Sequence, residues 1–168
     1  DECYSEIYPD ERLPPVGLLE AAAGMGNTDY RHCLCFHSLS KRSNLPGLRS
    51  GFVAGDPHWI EQFRRYRTYH GCAMPPHHQI ASEWAWSDEQ HVLDNRARYR
   101  EKFAAVTPIL TPVLATPSPD AGFYLWPETP IDDETFAQRL LEHAGVKVLP
   151  GRYLARDTAV GNPGAHRA

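Results

Sequence analysis

The chain has 168 residues, 42% of them apolar and 23% charged, with a formal net charge of −4; this is the make-up of a soluble globular protein long enough for one domain of ordinary size. No run of about 18 apolar residues is present, which excludes a membrane-spanning helix, and no basic-then-apolar signal sequence opens the chain, so a cytoplasmic setting is the default. Basic residues are interleaved with acids, as in "DNRARYREK", which argues against a nucleic-acid partner.

In chain order, "DECYSEIYPDERLPP" reads as the end of a strand running into a polar, proline-punctuated loop. "RHCLCFHSLS" is a short apolar strand ending in small residues, and "LRSGFVAGD" is a second, closing on Gly55 and Asp56. Asp56 is placed to cap a helix with Pro57 in its first turn. Trp59, Ile60, Phe63 and Tyr66 recur at helical spacing, so 57–69 is expected to be amphipathic with an ordinary core-packing face. "GCAMPP" breaks that helix and a second follows in "HHQIASEWAW".

Ser87 and Gln90 form a capping-box pattern that opens a long helix with Val92, Leu93, Tyr99, Phe103, Val106 and Leu110 as apolar positions and "DNRARYREK" as a solvated face. "TPVLATPSPD" reads as a linker into strand "GFYLWP", helix "DDETFAQRLLEHAG" stopped by Gly145, and strand "VKVLP". That order suggests a small α/β lobe. The division expected is 1–86 and 87–168.

Four cysteines, Cys3, Cys33, Cys35 and Cys72, show neither the spacing nor the density of a disulfide scaffold, so reduced thiols are expected. In a strand, Cys33, Cys35 and His37 would share one face and offer soft ligands. Zinc sites usually carry CxxC pairs with a loop between them, and here there is a single close pair; buried thiols in a core strand, with no metal, are the expectation. The chain opens at "DECYSEIY" with no initiator methionine and closes at "GNPGAHRA", and reads as a piece of something longer.

The chemistry concentrates in "HSLSKRSNLPGLRSG", residues 37–51. Lys41 stands among small hydroxyl residues with Arg49 eight positions on. An amine condenses with an aldehyde only when unprotonated, so a catalytic lysine needs partners that favour the imine over a hydrated ammonium. Small neighbours leave room for a flat ring, Ser38 and Ser40 supply hydroxyl donors, and Arg49 supplies a fork suited to phosphate. The bland reading is a lysine at the start of a surface loop and an arginine in a salt bridge.

"SLSKRSNLPGLRSG" resembles the lysine-attachment segment of the class I and II aminotransferases, fold type I enzymes that use pyridoxal 5'-phosphate. Ser38, Ser40, Lys41, Asn44, Leu45, Arg49 and Gly51 match that pattern; Ser50 stands where the family usually has an aliphatic residue. "DECY" resembles the family's Asp-x-x-Tyr. The resemblance implies that Asp1 pairs with the pyridine nitrogen and Tyr4 bonds the ring's phenolic oxygen. Lys41 would carry the cofactor as an imine and, once released, move the proton between substrate Cα and the cofactor. Arg49 and Ser38 would hold the phosphate, with Ser40 a further contact.

The same resemblance implies a C-terminal arginine that clamps the substrate α-carboxylate, for which Arg167 is the candidate. "LPGRYLAR", "NPG" and "AGFYLWP" resemble the succinyldiaminopimelate aminotransferases of lysine biosynthesis, which implies amino transfer between glutamate and N-succinyl-2-amino-6-oxopimelate and makes Arg152 and Arg156 candidates for anionic groups. The fold implied is α/β: the end of the large-domain sheet plus a truncated small α/β domain. The family's N-terminal segment, phosphate-binding helix start, ring-stacking aromatic and asparagine are not in this sequence, so activity is expected of a longer, homodimeric parent rather than of the piece. Alternatives with the same lysine segment are a β-lyase or other fold type I enzyme, and an effector-binding module of a transcription regulator.

Overall fold

Two antiparallel strands, β1 (Leu34–Ser38) and β2 (Gly51–Gly55), pair in register from Leu34 opposite Gly55 to Ser38 opposite Gly51. The computed structural model describes residues 1–71 and 73–168; Cys72 lies outside the described residues. The strands approach so closely at Gly51 that a Cβ there would lie 2.4 Å from the His37 carbonyl oxygen, which is why the position needs glycine.

β1 runs directly into α2 (Leu39–Arg42), a helix of four residues. Ser38 caps it, its hydroxyl accepting from the Ser40 N–H at 3.1 Å. The return to β2 passes a 3₁₀ turn, Pro46–Leu48, flanked by Asn44 and Arg49 in the left-handed region at φ 52° and 55°. β2 then feeds α3 (Pro57–His70), capped by Asp56 as the sequence suggests. Asp56 also accepts from the His32 N–H at 2.8 Å, so one carboxylate fixes both the entry to β1 and the exit from β2.

Several elements differ from expectation. The opening segment is a series of turns tied to β1 by a backbone bond, Glu2 N–H to Phe36 O. A short helix, α1 (Leu18–Gly24), precedes β1 where the sequence gives no capping residue to signal it. No side chain of α3 is buried, and Trp59 and Tyr66 are exposed; a two-stranded sheet offers too narrow a platform to cover the helix face. After α4 (Pro76–Ser87) the start of the long helix α5 (Gln90–Leu110) is capped by the side chain of Asp88 rather than Ser87: the Asp88 carboxylate takes the Gln90 N–H at 2.9 Å, while the Ser87 hydroxyl turns back to Glu83 O.

The chain divides into two compact units, one of Asp1–Arg100 with Asp120–Phe123, the other of Glu101–Pro119 with Tyr124–Ala168. In the first, Ile7, Cys35, Leu39 and Val92 form the buried apolar centre. In the second, α6 (Asp133–Ala144) is capped by Asp132 and stopped by Gly145 at φ 66°, as its sequence predicts. The strands expected on either side of α6 do not form: "GFYLWP" and "VKVLP" find no partner strand among the described residues, and β-propensity without a partner makes no ladder. Among the described residues, strand-like pairing in this unit consists of isolated bridges, Glu128 with Arg167 and Thr158 with Gly161. Among the described residues no helix is long and apolar enough to cross a membrane.

Candidate active site

The turn from β1 into α2 gathers hydroxyl groups because Ser38 ends β1, Ser40 lies in α2 and Ser50 immediately precedes β2. Ser38 Oγ donates to Ser40 Oγ at 2.9 Å and lies 3.2 Å from Ser50 O. Ser50 is almost fully buried and its own Oγ has no hydrogen-bond partner among the described residues. An unsatisfied buried hydroxyl costs about 1–3 kcal/mol, so a further polar group is called for here.

Lys41 is half-buried, its Nζ 4.8 Å from the centre of the Phe123 ring. Among the described residues no carboxylate pairs with it. Phe123 also packs against Tyr4, ring centres 5.2 Å apart, and against Tyr99 at 6.1 Å. The structure thus brings Lys41 and Tyr4 onto one aromatic ring.

Asp1 accepts from the Cys3 N–H at 3.0 Å and borders a cavity of ≈ 530 Å³ with His37, Gly51 and Phe52. Arg49 is exposed, donates to Pro46 O at 2.8 Å, and borders a second cavity of ≈ 790 Å³ together with Arg64, Arg67 and His78. Gly51 and Arg67 line both. The left-handed backbone at Arg49 is a strained conformation for a side-chain-bearing residue, of the kind that functional sites retain.

Arg167 belongs to the second unit, where its guanidinium is 2.8 Å from Glu128 and donates to Trp126 O at 3.2 Å. Arg152 is committed to structure: Asp132, Asp133 and Glu134 all receive its donors. The Arg152 hydrogen bond holds Asp133 down at about 2 despite burial that works the other way. Arg156 is exposed.

The "HCLCFH" run behaves partly as expected. Cys35 is buried, and its Sγ is 3.1 Å from His37 Nε2. The third group is Glu2, not Cys33: Glu2 lies 3.3 Å from His37 and accepts from the Leu18 N–H at 2.6 Å. Cys33 precedes β1 and contacts Asn27 and Arg31 instead. Burial first, then the hydrogen bond and charge of Glu2, push the Cys35 thiol up to about 12. The ligand atoms of Glu2, Cys35 and His37 all lie within 4.8 Å of one another.

Sequence reasoning missed Phe123, which no local pattern links to Lys41, and the buried Arg42 and Arg96. It placed Arg96 on a solvated face, whereas this side chain is only 6% exposed and bonds Glu6 and Glu11.

Residues 1–161 match the family described as aminotransferase class I and II. The chain belongs to this family. A solved aminotransferase of Neisseria meningitidis Z2491 is 56% identical, with a TM-score of 0.92, over 99% of this chain and 42% of its own. A probable aminotransferase of Mycobacterium tuberculosis is 35% identical over 91% of this chain and 36% of that protein. An LL-diaminopimelate aminotransferase of Maridesulfovibrio salexigens is 30% identical over 90% and 39% respectively. The chain therefore spans about two fifths of the length of these aminotransferases. Its fold is part of the type I pyridoxal-phosphate-dependent fold, as the lysine segment leads one to expect. Class I and II aminotransferases in general use pyridoxal phosphate, act on amino acids and 2-oxo acids, and are dimeric.

Proposed function

We propose that this chain is the C-terminal part of a pyridoxal-phosphate-dependent aminotransferase, cytoplasmic and homodimeric as a full-length protein, that moves an amino group from glutamate to a 2-oxo acid. The observation that carries the reading is Lys41: a half-buried amine beside an aromatic ring, with no carboxylate partner among the described residues, one residue from a hydroxyl pair. Three features support the cofactor reading: Ser50 Oγ has no hydrogen-bond partner among the described residues, Ser38 and Ser40 are hydrogen-bonded to each other, and Arg49 borders a cavity large enough for a small ligand.

Bound there, pyridoxal phosphate supplies an electron sink for the bonds at substrate Cα. Lys41 is the attachment amine and the group that carries the proton at Cα. Asp1 supplies the carboxylate for the pyridine nitrogen and Tyr4 the hydroxyl for the phenolic oxygen. Ser38, Ser40 and Arg49 hold the phosphate by hydrogen bonds and charge. Arg167 is the α-carboxylate clamp, which requires it to exchange Glu128 for the substrate. For the acceptor we propose N-succinyl-2-amino-6-oxopimelate, in lysine biosynthesis; the loop wording "LPGRYLAR" supports it, and the kinship with LL-diaminopimelate aminotransferases favours an acceptor of this chemical class.

The test is the absorption spectrum of the full-length protein with pyridoxal phosphate before and after borohydride, followed by peptide mapping. The label is expected on Lys41 and absent from Lys41→Ala. A label elsewhere, or 2-oxo acid formation that does not depend on an amino acceptor, refutes the aminotransferase reading.

A further inference from the structure

Two guanidinium groups are buried beside the lysine turn. The side chains of Arg42, the residue after Lys41, and of Arg96 on α5 are each 6% exposed. A buried charge is tolerated only when its donors are matched. Arg42 bonds Glu89, the carbonyl of Ala85 at 3.0 Å and the Ser43 hydroxyl at 3.4 Å, and stacks over Trp86 at 5.1 Å. Its Nε is 3.9 Å from one oxygen of Glu6.

The other oxygen of Glu6 is 3.1 Å from Arg96. Arg96 in turn reaches Glu11 at 3.0 Å and covers the Tyr8 ring at 4.4 Å. Burial opposes the charge of Arg96, and the bond from Glu11 and its neighbours outweigh it, raising the guanidinium above its ordinary value. Glu6 thus stands between two buried arginines, two residues past Tyr4.

The geometry matters because α2 has only four residues, too few to hold itself as an isolated helix. Its position is set from outside: Asn95 donates to Lys41 O at 3.2 Å, and His91 is 2.8 Å from the Ser43 hydroxyl. Only the Arg42–Glu6 contact joins this turn to the segment that carries Asp1 and Tyr4 through paired side-chain charges, among the described residues.

We infer that Arg42, acting through Glu6, is a positioning residue that sets Lys41 Nζ relative to Tyr4 for proton transfer at substrate Cα. This rests on the reading of Lys41 as the cofactor lysine. Arg42 is buried against Ala85, Trp86 and Glu89 and acts through the backbone from which the transferring amine projects. Proton transfer is sensitive to such placement, since a misplacement of about 1 Å costs about 100-fold in rate.

The test uses the full-length enzyme loaded with pyridoxal phosphate, with Arg42→Met, Arg42→Lys and Glu6→Gln. In Arg42→Met and Glu6→Gln, kcat is expected to fall about 10- to 100-fold with KM for glutamate within about threefold, because uniform binding is untouched. The primary deuterium isotope effect on kcat, read with α-deuterated glutamate, is expected to rise as proton transfer becomes rate-limiting. Arg42→Lys keeps the charge without the planar fork and is expected to recover only part of the loss.

A purely architectural role would lower the melting temperature and leave kcat and the isotope effect of the folded, loaded enzyme unchanged; that result overturns the inference. Should Arg42→Met fail to fold, the near-isosteric Glu6→Gln decides. Wild-type enzyme in which borohydride labels no lysine at 41 overturns the cofactor reading and this one with it, whereas labelled wild type with indifferent variants overturns the positioning role alone.

Discussion

The Nζ of Lys41 lies 4.8 Å from the centre of the Phe123 ring, and the same ring meets Tyr4 at 5.2 Å. The ring packs against both side chains, so it bears on where the amine and the Tyr4 hydroxyl sit relative to one another. Replacing Phe123 by Leu removes that face and the packing of Tyr4 together. We expect kcat of the full-length enzyme to drop about 3- to 30-fold through looser placement of Lys41 and Tyr4. Steady-state kinetics with glutamate checks it; an unchanged kcat would show that the ring merely fills space.

Gly51 is opposite Ser38, and a Cβ at this position would lie 2.4 Å from the His37 carbonyl. Gly51→Ala must push the strands apart at the end that leads into α2. Destabilisation of about 1–3 kcal/mol is expected from such overpacking, read by denaturant unfolding. Because the displaced strand end carries the Ser38 cap, weaker cofactor retention should accompany it.

Acid should unsettle the second unit in a defined window. Asp133 is held at about 2 chiefly by Arg152, against an ordinary value of 3.8. A carboxyl whose folded value is depressed stabilises fully above its unfolded value and loses that contribution as pH falls through the folded one. Stability is therefore expected to decline between about pH 4 and pH 2, and Asp133→Asn should flatten the profile there while lowering stability at neutral pH. Far-ultraviolet circular dichroism against pH measures both.

Cys35, with its thiol raised to about 12 by burial and by Glu2, should resist alkylation in the folded protein. Relative to an ordinary thiol near 8.5, its thiolate fraction at pH 8 is lower by about a thousandfold. Iodoacetamide labelling followed by mass spectrometry should find Cys35 unmodified before unfolding and modified after it. Rapid native labelling would contradict the buried hydrogen-bonded trio.

The lysine segment was legible because its chemistry is contiguous. Ser38, Ser40, Lys41 and Arg49 lie within one strand, one turn of helix and one loop, so spacing along the chain approximates spacing in space. The helix stops were legible for the same reason, since Asp56 and Gly145 act within a few residues of themselves. Arg96 was not, because it meets Glu6 and Glu11 across 90 and 85 residues, and in "DNRARYREK" each arginine looks alike. Periodicity says which residues share a helix face; it does not say which face another segment covers. The strands flanking α6 failed for a related reason, since a strand is defined by its partner and a β-rich run alone does not provide one.

The brevity of α2 carries a consequence for how this sequence can vary. Four residues anchored by Glu6, Ala85, Glu89 and Asn95 do not depend on their own helix-forming tendency. Lys41 is thus placed by partners remote in the chain: Arg42 carries three of those contacts and Leu39 is buried beside it, so the demands on the lysine turn extend to Glu6, Ala85, Glu89 and Asn95.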